Sequence, residues 1–214
     1  MRVLLIDNED AFTHTLIHLV LGAGIPEREL RVVRNNTTDV AGLRLLSPEA
    51  LVVASGPDFP QQAGVTLAAM RDFYRDIPIF GINLGHQAAA MIFGGRLMPA
   101  PLPMHGRPGP VFHEGDPLFA GIDSPFFAGR YHTHVVEAAR LPPALKIIAH
   151  SGEGLVMALR HRRLPLYTVQ FQPESFLTGC GAKVVENFFT LARAHLRTRQ
   201  RERRSRSRRA LSRA

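Results

Sequence analysis

The chain has 214 residues, of which 45% are hydrophobic and 21% charged. That is enough apolar material for one good-sized core, too little for several independent domains, and too much for wholesale disorder. No apolar run reaches the ~18 residues of a membrane helix, and the short run after Met1 ends in an acid, so neither a membrane span nor a secretory signal is expected. The one cysteine, Cys180, excludes an internal disulfide and a four-cysteine zinc site, and makes a reducing cytoplasm the expected compartment.

The formal charge of +8 is local. Residues 197–214 hold nine arginines and one acid, while the remaining 17 basic and 17 acidic residues balance. Like charges repel and this stretch has few apolar residues, so a domain at 1–195 followed by a disordered arginine-rich tail at 196–214 is expected. Such a tail can neutralise phosphates, but it has no aromatic residue to stack on a base. A solvated tail is the simpler reading, and nucleic acid is not counted among the expected partners.

Residues 3–6 form a continuous apolar run, which predicts a strand buried on both faces. Asp7, Asn8 and Asp10 follow as candidate caps for a helix from about residue 11. Phe12, Leu16, Ile17 and Leu21 recur there at helical spacing until Gly22 and Gly24. Strands are predicted at 30–34 and 51–54, the latter broken by Ser55-Gly56-Pro57-Asp58-Phe59-Pro60. A helix at 65–75 precedes a buried strand at 77–82, which runs straight into a helix at 85–93. Pro78 sits near the start of that strand, where a missing N–H is tolerated. Strands alternating with helices predict a parallel sheet covered on both faces. After Gly94, Pro and Gly become frequent. Short strands at 110–113, 126–136, 145–149, 154–160 and 166–171 predict an antiparallel extension. A last helix at 181–195 turns Val184, Val185, Phe188, Phe189 and Leu191 inward. The expected class is α/β: a mainly parallel sheet flanked by helices, with an antiparallel extension.

Gly81-Ile82-Asn83-Leu84-Gly85 lies where the buried strand turns into a helix. Small residues around a central position in a strand–turn–helix are the pattern of a nucleophile elbow. The tight turn lifts the central side chain to the carboxyl end of the sheet, and the helix N-terminus offers N–H groups to a developing oxyanion. Ile82 to Gln87 resembles the elbow of class I glutamine amidotransferases, in which a cysteine occupies the place of Asn83. The resemblance runs through about residues 2–192 and is closest to the glutaminase subunits of anthranilate and aminodeoxychorismate synthases. It is carried by Leu4 to Asn8 with Asp10, Gly56-Pro57 with Pro60, Phe93-Gly94-Gly95, Met104-His105-Gly106, Arg130-Tyr131-His132, and Val169-Gln170-Phe171-Gln172-Pro173-Glu174-Ser175.

The resemblance implies a Cys-His-Glu triad. The cysteine attacks the glutamine amide, the histidine moves the proton, and the glutamate orients the histidine. Here Asn83 stands at the cysteine position and Gln172 at the histidine position, and Glu174 alone is retained. A carboxamide is no nucleophile at neutral pH, and Gln172 has no titratable proton. Asp58 replaces a glycine of the family's oxyanion loop, and Thr133-His134 replace a Ser-Leu pair whose backbone helps hold glutamine. Gly56, Leu84, Gln87, Thr133 and His134 are the positions left to bind part of a glutamine-like ligand. The resemblance also implies the partner, a chorismate-utilising synthase subunit. No cofactor is expected, and His86, His105, His132 and His134 are not read as metal ligands. The expected function is a subunit that keeps the amidotransferase fold and docking surface without releasing ammonia. Two alternatives stay open: altered chemistry in the old pocket, and a still-active amidotransferase. Cys180 lies off the elbow and is read as incidental. Asn83 and Gln172 are expected to pair with each other, and Glu174 to be a relic or a partner of Gln172.

Overall fold

A computed structural model describes residues 1–211. The parallel half is built from β1 (Val3–Asp7), β2 (Leu30–Arg34), β3 (Ala50–Val53), β4 (Ile79–Ile82) and β9 (Leu166–Val169). The antiparallel half is β5 (Leu97–His113), β6 (Phe126–Val136), β7 (Leu145–Ser151) and β8 (Val156–His161). All belong to one sheet in the order β2-β1-β3-β4-β9-β8-β7-β5-β6. β9 pairs parallel with β4 and antiparallel with β8, and so joins the two halves. This is the expected class.

Each face of the parallel half is covered. In β1, Val3 and Leu5 face a core shared with α1 (Thr13–Gly22) and α5 (Gly181–Leu211), where Phe80 stacks on Phe188 at 4.9 Å. Leu4 and Ile6 face the opposite core, with α2 (Val40–Leu45), α3 (Thr66–Phe73) and α4 (Leu84–Ile92). Period-two alternation therefore sends successive apolar residues to different layers, which is why the run at 3–6 carries no polar residue.

Four local expectations are corrected. α1 begins at Thr13 and not near residue 11. Asp10 accepts from the Phe12 N–H at 2.8 Å, and Asp7 accepts from the Thr13 hydroxyl at 2.8 Å, so these acids brace the loop before the helix without capping it. α2 has no counterpart in the sequence reading; six residues are too few to show a period, although Asp39 caps it by accepting from the Gly42 N–H at 2.9 Å. β5 is a strand of 17 residues, where only 110–113 is predicted. Its prolines hide it. β7 pairs only with Val111–His113, so the rest of β5 has one unpaired edge, and there proline forfeits no ladder bond. Finally, α5 continues to Leu211, so residues 196–211 are helical where a disordered tail is expected. Residues 182–211 contain no Gly or Pro, and Arg, Gln and Ala are good helix formers. The end of the expected tail, 212–214, lies outside the described residues.

Two glycines set the distance between β4 and α4. A Cβ on Gly81 would stand 2.6 Å from the Gly85 carbonyl oxygen, and one on Gly85 would stand 2.7 Å from that of Val53. The helix thus lies closer to the strands than any side chain allows. Gly81→Ala is expected to destabilise the protein by about 1–3 kcal/mol, the usual range for overpacking. Urea unfolding measures it, and an unchanged midpoint would remove the close-approach argument.

Candidate active site

Asn83 sits between β4 and α4 with φ +47° and ψ −97°. A non-glycine residue there costs about 1–3 kcal/mol and persists only where the surroundings enforce it. Here the enforcement is visible. The Asn83 N–H donates to the Val169 carbonyl at 2.8 Å, and its carbonyl accepts from the Gln87 N–H at 3.0 Å. The predicted elbow is therefore present, anchored to β9 on one side and to the first turn of α4 on the other.

The side chain is held as firmly. Asn83 Nδ2 donates to the Tyr131 carbonyl at 2.6 Å, and its Oδ1 accepts from Gln170 Nε2 at 2.9 Å. Gln87 Nε2 donates to the His134 carbonyl at 3.0 Å and reaches Gln170 Oε1 at 3.5 Å. Three carboxamides, Gln87, Gln170 and Asn83, thus form a ladder whose ends grip the backbone of β6. Gln170 is fully buried at its centre. In the sequence Gln170 is one residue of the Val169–Ser175 motif, with no role assigned to it. The signal was its polar side chain inside an otherwise apolar strand end.

Around the elbow lies a pocket of about 430 Å³. It opens at the carboxyl ends of β1, β3, β4 and β9, the place where an α/β sheet gathers ligand-binding loops, and β6 closes its other side. Asn83, Gln172, Gly56, Leu84, Gln87, Thr133 and His134 all line it, together with Asp10 and Asp58. Asp58 is exposed on the rim, and Phe59 beside it packs edge-on against His134 at 4.7 Å. Glu174 does not line the pocket. It is buried, and its Oε1 accepts from the Ser55 hydroxyl at 3.3 Å.

The expected Asn83–Gln172 pair does not form. Asn83 is taken up by Tyr131 and Gln170, and Gln172 Nε2 donates to Asp10 at 3.3 Å. Nor does Glu174 bond to Gln172. Gln172 Oε1 and Glu174 Oε2 are both buried and meet no donor among the described residues.

Electrostatics follow from burial. Desolvation first, and then the nearby Asp10, push the Glu174 carboxyl up to about 8, so at neutral pH it is mostly uncharged. Asp10 is itself raised, again mainly by burial. The histidines go the other way. Burial and then His132 take His86 down to about 3, while burial and then Arg130 take His132 down to about 4. Arg130 Nε donates to His132 Nε2 at 3.2 Å, which requires the neutral imidazole. Cys180 is partly buried at the start of α5, packs against the core and does not reach the pocket. Burial raises its thiol pKa, which opposes thiolate formation.

The family model for class I glutamine amidotransferases matches residues 4–192. The chain belongs to that family. It is 40% identical over 186 residues to the aminodeoxychorismate/anthranilate synthase component 2 of Bacillus subtilis, covering 87% of this chain and 94% of that one. It is 42% identical over 194 residues to the anthranilate synthase component 2 of Azospirillum brasilense, covering 89% and 96%. The crystal structure of a putative GMP synthase subunit from Thermoplasma acidophilum superposes with a TM-score of 0.81 over 94% of this chain and 98% of that one; at 23% identity this likeness speaks for the fold. Among the described residues no helix is long and apolar enough to cross a membrane.

Within an amidotransferase fold, the neutral Glu174 is a testable feature. Its folded pKa lies above its unfolded one, so the folded state holds the extra proton. Stability from this group is complete below about pH 4.5 and is lost as pH rises toward about 8. The slope is at most about 1.4 kcal/mol per pH unit. His86 and His132, depressed on folding, act oppositely and weaken the fold as pH drops below about 6.5. The informative quantity is therefore the difference between wild type and Glu174→Gln. Relative to the variant, the wild type should lose stability steadily from pH 5 to pH 8. Parallel stability curves would mean that Glu174 is ionised in the fold.

Proposed function

We propose that this chain is the amidotransferase-type subunit of a chorismate-utilising synthase, and that it does not hydrolyse glutamine. Its relatives of closely matching length are named as component 2 of anthranilate or aminodeoxychorismate synthase, and a component 2 implies a component 1 to dock on. The single observation that carries the inactive reading is the chemistry of Asn83. The elbow is built, but the group it presents is a carboxamide whose nitrogen and oxygen are both hydrogen-bonded to the protein. An amide nitrogen has no lone pair free to attack a carbonyl, and Gln172 can neither take nor give a proton.

The remaining parts fit that reading. Acyl transfer at the elbow needs a nucleophile, a proton shuttle and a charge to orient the shuttle. In their places stand two amides and an uncharged acid. Asp58 lines the pocket on the loop that the resemblance assigns to the oxyanion, and an acid there opposes oxyanion stabilisation. The subunit therefore acts by docking and by holding its partner's conformation. The partner uses free ammonia or another nucleophile such as water. The pocket of about 430 Å³ has room for a glutamine-like ligand, which can enter it as an effector.

Glutamate release from glutamine tests this, with the purified chain alone and with a candidate component 1. The expected result is no release above background, together with a rise in the partner's ammonia-dependent turnover. Release by the unmodified chain would sink the reading. The double substitution Asn83→Cys with Gln172→His is expected to stay at least about a hundredfold below an intact family member, because Asp58, Thr133 and His134 still line the pocket and a disturbed oxyanion site typically costs about 10²–10³-fold. If the double variant reaches full activity, the triad alone had been lost and the pocket is otherwise competent.

A further inference from the structure

The pocket at the elbow offers hydrogen-bond acceptors in excess of donors. Asp10 and Asp58 line it, and no lysine or arginine does. Asp10 accepts from the Phe12 N–H at 2.8 Å and from Gln172 Nε2 at 3.3 Å, and neither donor is charged. Burial raises the Asp10 pKa, and the charge of nearby Asp7 adds to the rise. Gln172 is 1% exposed and lines the same pocket, and its Oε1 meets no donor among the described residues. A buried acceptor left unpaired is costly, and an N–H brought by a ligand removes that cost.

The side-chain donors of the pocket are already engaged. Asn83 Nδ2 and Gln87 Nε2 are spent on the β6 carbonyls of Tyr131 and His134, and the Thr133 hydroxyl meets His134 Nδ1 at 3.1 Å. Arg130, the cation beside His132, does not line the pocket, and its charge is matched by Glu153 at 3.0 Å. Backbone N–H groups at the start of α4 remain, and a neutral carbonyl oxygen satisfies them. Aromatic rings complete the wall: Phe12 packs edge-on against Tyr131 at 5.3 Å, and Phe59 against His134 at 4.7 Å. Ring faces are negative and attract an ammonium group within about 6 Å.

We infer that the pocket takes a small primary amine in its protonated form, one that carries an amide but no carboxylate, in preference to an amino acid. This names the chemical class of the effector for which the pocket has room, and it rests on that reading. An ammonium group brings three N–H donors and a positive charge to two carboxylates and an orphaned carbonyl. Asp58, exposed on the rim, attracts it, while the half-buried Asp10 and the buried Gln172 hold it. An amino acid brings the same ammonium together with a carboxylate, which the two acids repel and no cationic side chain of the pocket receives. A bare ammonium ion fits less well. It is about the size of a water molecule, roughly 30 Å³, and would leave most of a pocket of about 430 Å³ unfilled.

The test is calorimetric titration of the full chain with three probes of one skeleton. These are glutamine; 4-aminobutanamide, which is glutamine without its α-carboxylate; and 4-hydroxybutanamide, which also lacks the positive charge. 4-Aminobutanamide is expected to bind at least about tenfold tighter than either of the others, the scale of one charge–charge interaction in a partly exposed site. Asp10→Asn and Asp58→Asn should each weaken it about three- to tenfold and leave 4-hydroxybutanamide within about twofold. Asp10→Asn can loosen the loop before α1, and Asp58→Asn, on the exposed rim, carries the test if it does. Glutamine binding as tightly as 4-aminobutanamide overturns the inference. So does the absence of amine binding at about 10 mM, or an Asp58→Asn variant that weakens both amine and alcohol equally or weakens neither. Glutamate release is followed in the same glutamine samples. Release sinks the inactive reading and leaves the amine preference to the titrations; tight glutamine binding without release overturns the amine preference alone.

Discussion

The close approach of α4 to β3 and β4 is the constraint on which the site depends. Gly81 and Gly85 remove the two side chains that would hold helix and strands apart. Only with that gap closed does the chain reverse within one residue, and Asn83 then takes a backbone conformation that a relaxed turn would not impose. The strain is balanced by hydrogen bonds from β9 and α4 to the same residue. The elbow is thus a product of packing.

The Asn83 side chain serves the elbow as a link. A thiol in that position makes weak hydrogen bonds and stays free to react. A carboxamide makes strong ones, and Asn83 uses them to tie the elbow to Gln170 and to the Tyr131 carbonyl of β6. The ladder continues through Gln87 to the His134 carbonyl. β6 belongs to the antiparallel half of the sheet, so the amides brace one half of the fold against the other across the pocket. Nearby titratable groups are pushed toward their uncharged forms. Glu174 is raised and His86 and His132 are lowered, each mainly by burial; at His132 the nearby Arg130 adds to burial and outweighs the opposing Glu153. Neutral, hydrogen-bonded side chains make a stable interior and poor acid–base machinery.

The parallel half of the fold was legible because its strands are buried on both faces and its helices are regular. Runs such as 3–6 and 79–82 admit few other readings. β6 was readable end to end. β5 was not, because proline is a strand breaker in the sequence and harmless on an unpaired edge, and whether an edge is paired depends on residues far away. α2 was too short for a period to show. The arginine stretch was read from charge repulsion, while helix propensity and continuity with the packed part of α5 carried the helix onward. The site was legible as a set of positions. Asn83, Gln172, Gly56, Leu84, Gln87, Thr133 and His134 do meet at one pocket, but the bonds of the polar groups were not readable: Asn83 pairs with Gln170, Gln172 with Asp10, and Glu174 with Ser55.

The sequence by itself therefore determined the family, the α/β class and the location of the elbow. These depend on local pattern and residue identity, which distance in space does not alter. Tertiary structure decided the rest: which amide grips which, and how strongly burial shifts Glu174. Hydrogen bonds between residues 87 positions apart, and the desolvation that moves a pKa, exist only once β1, β4, β6 and β9 have been brought together.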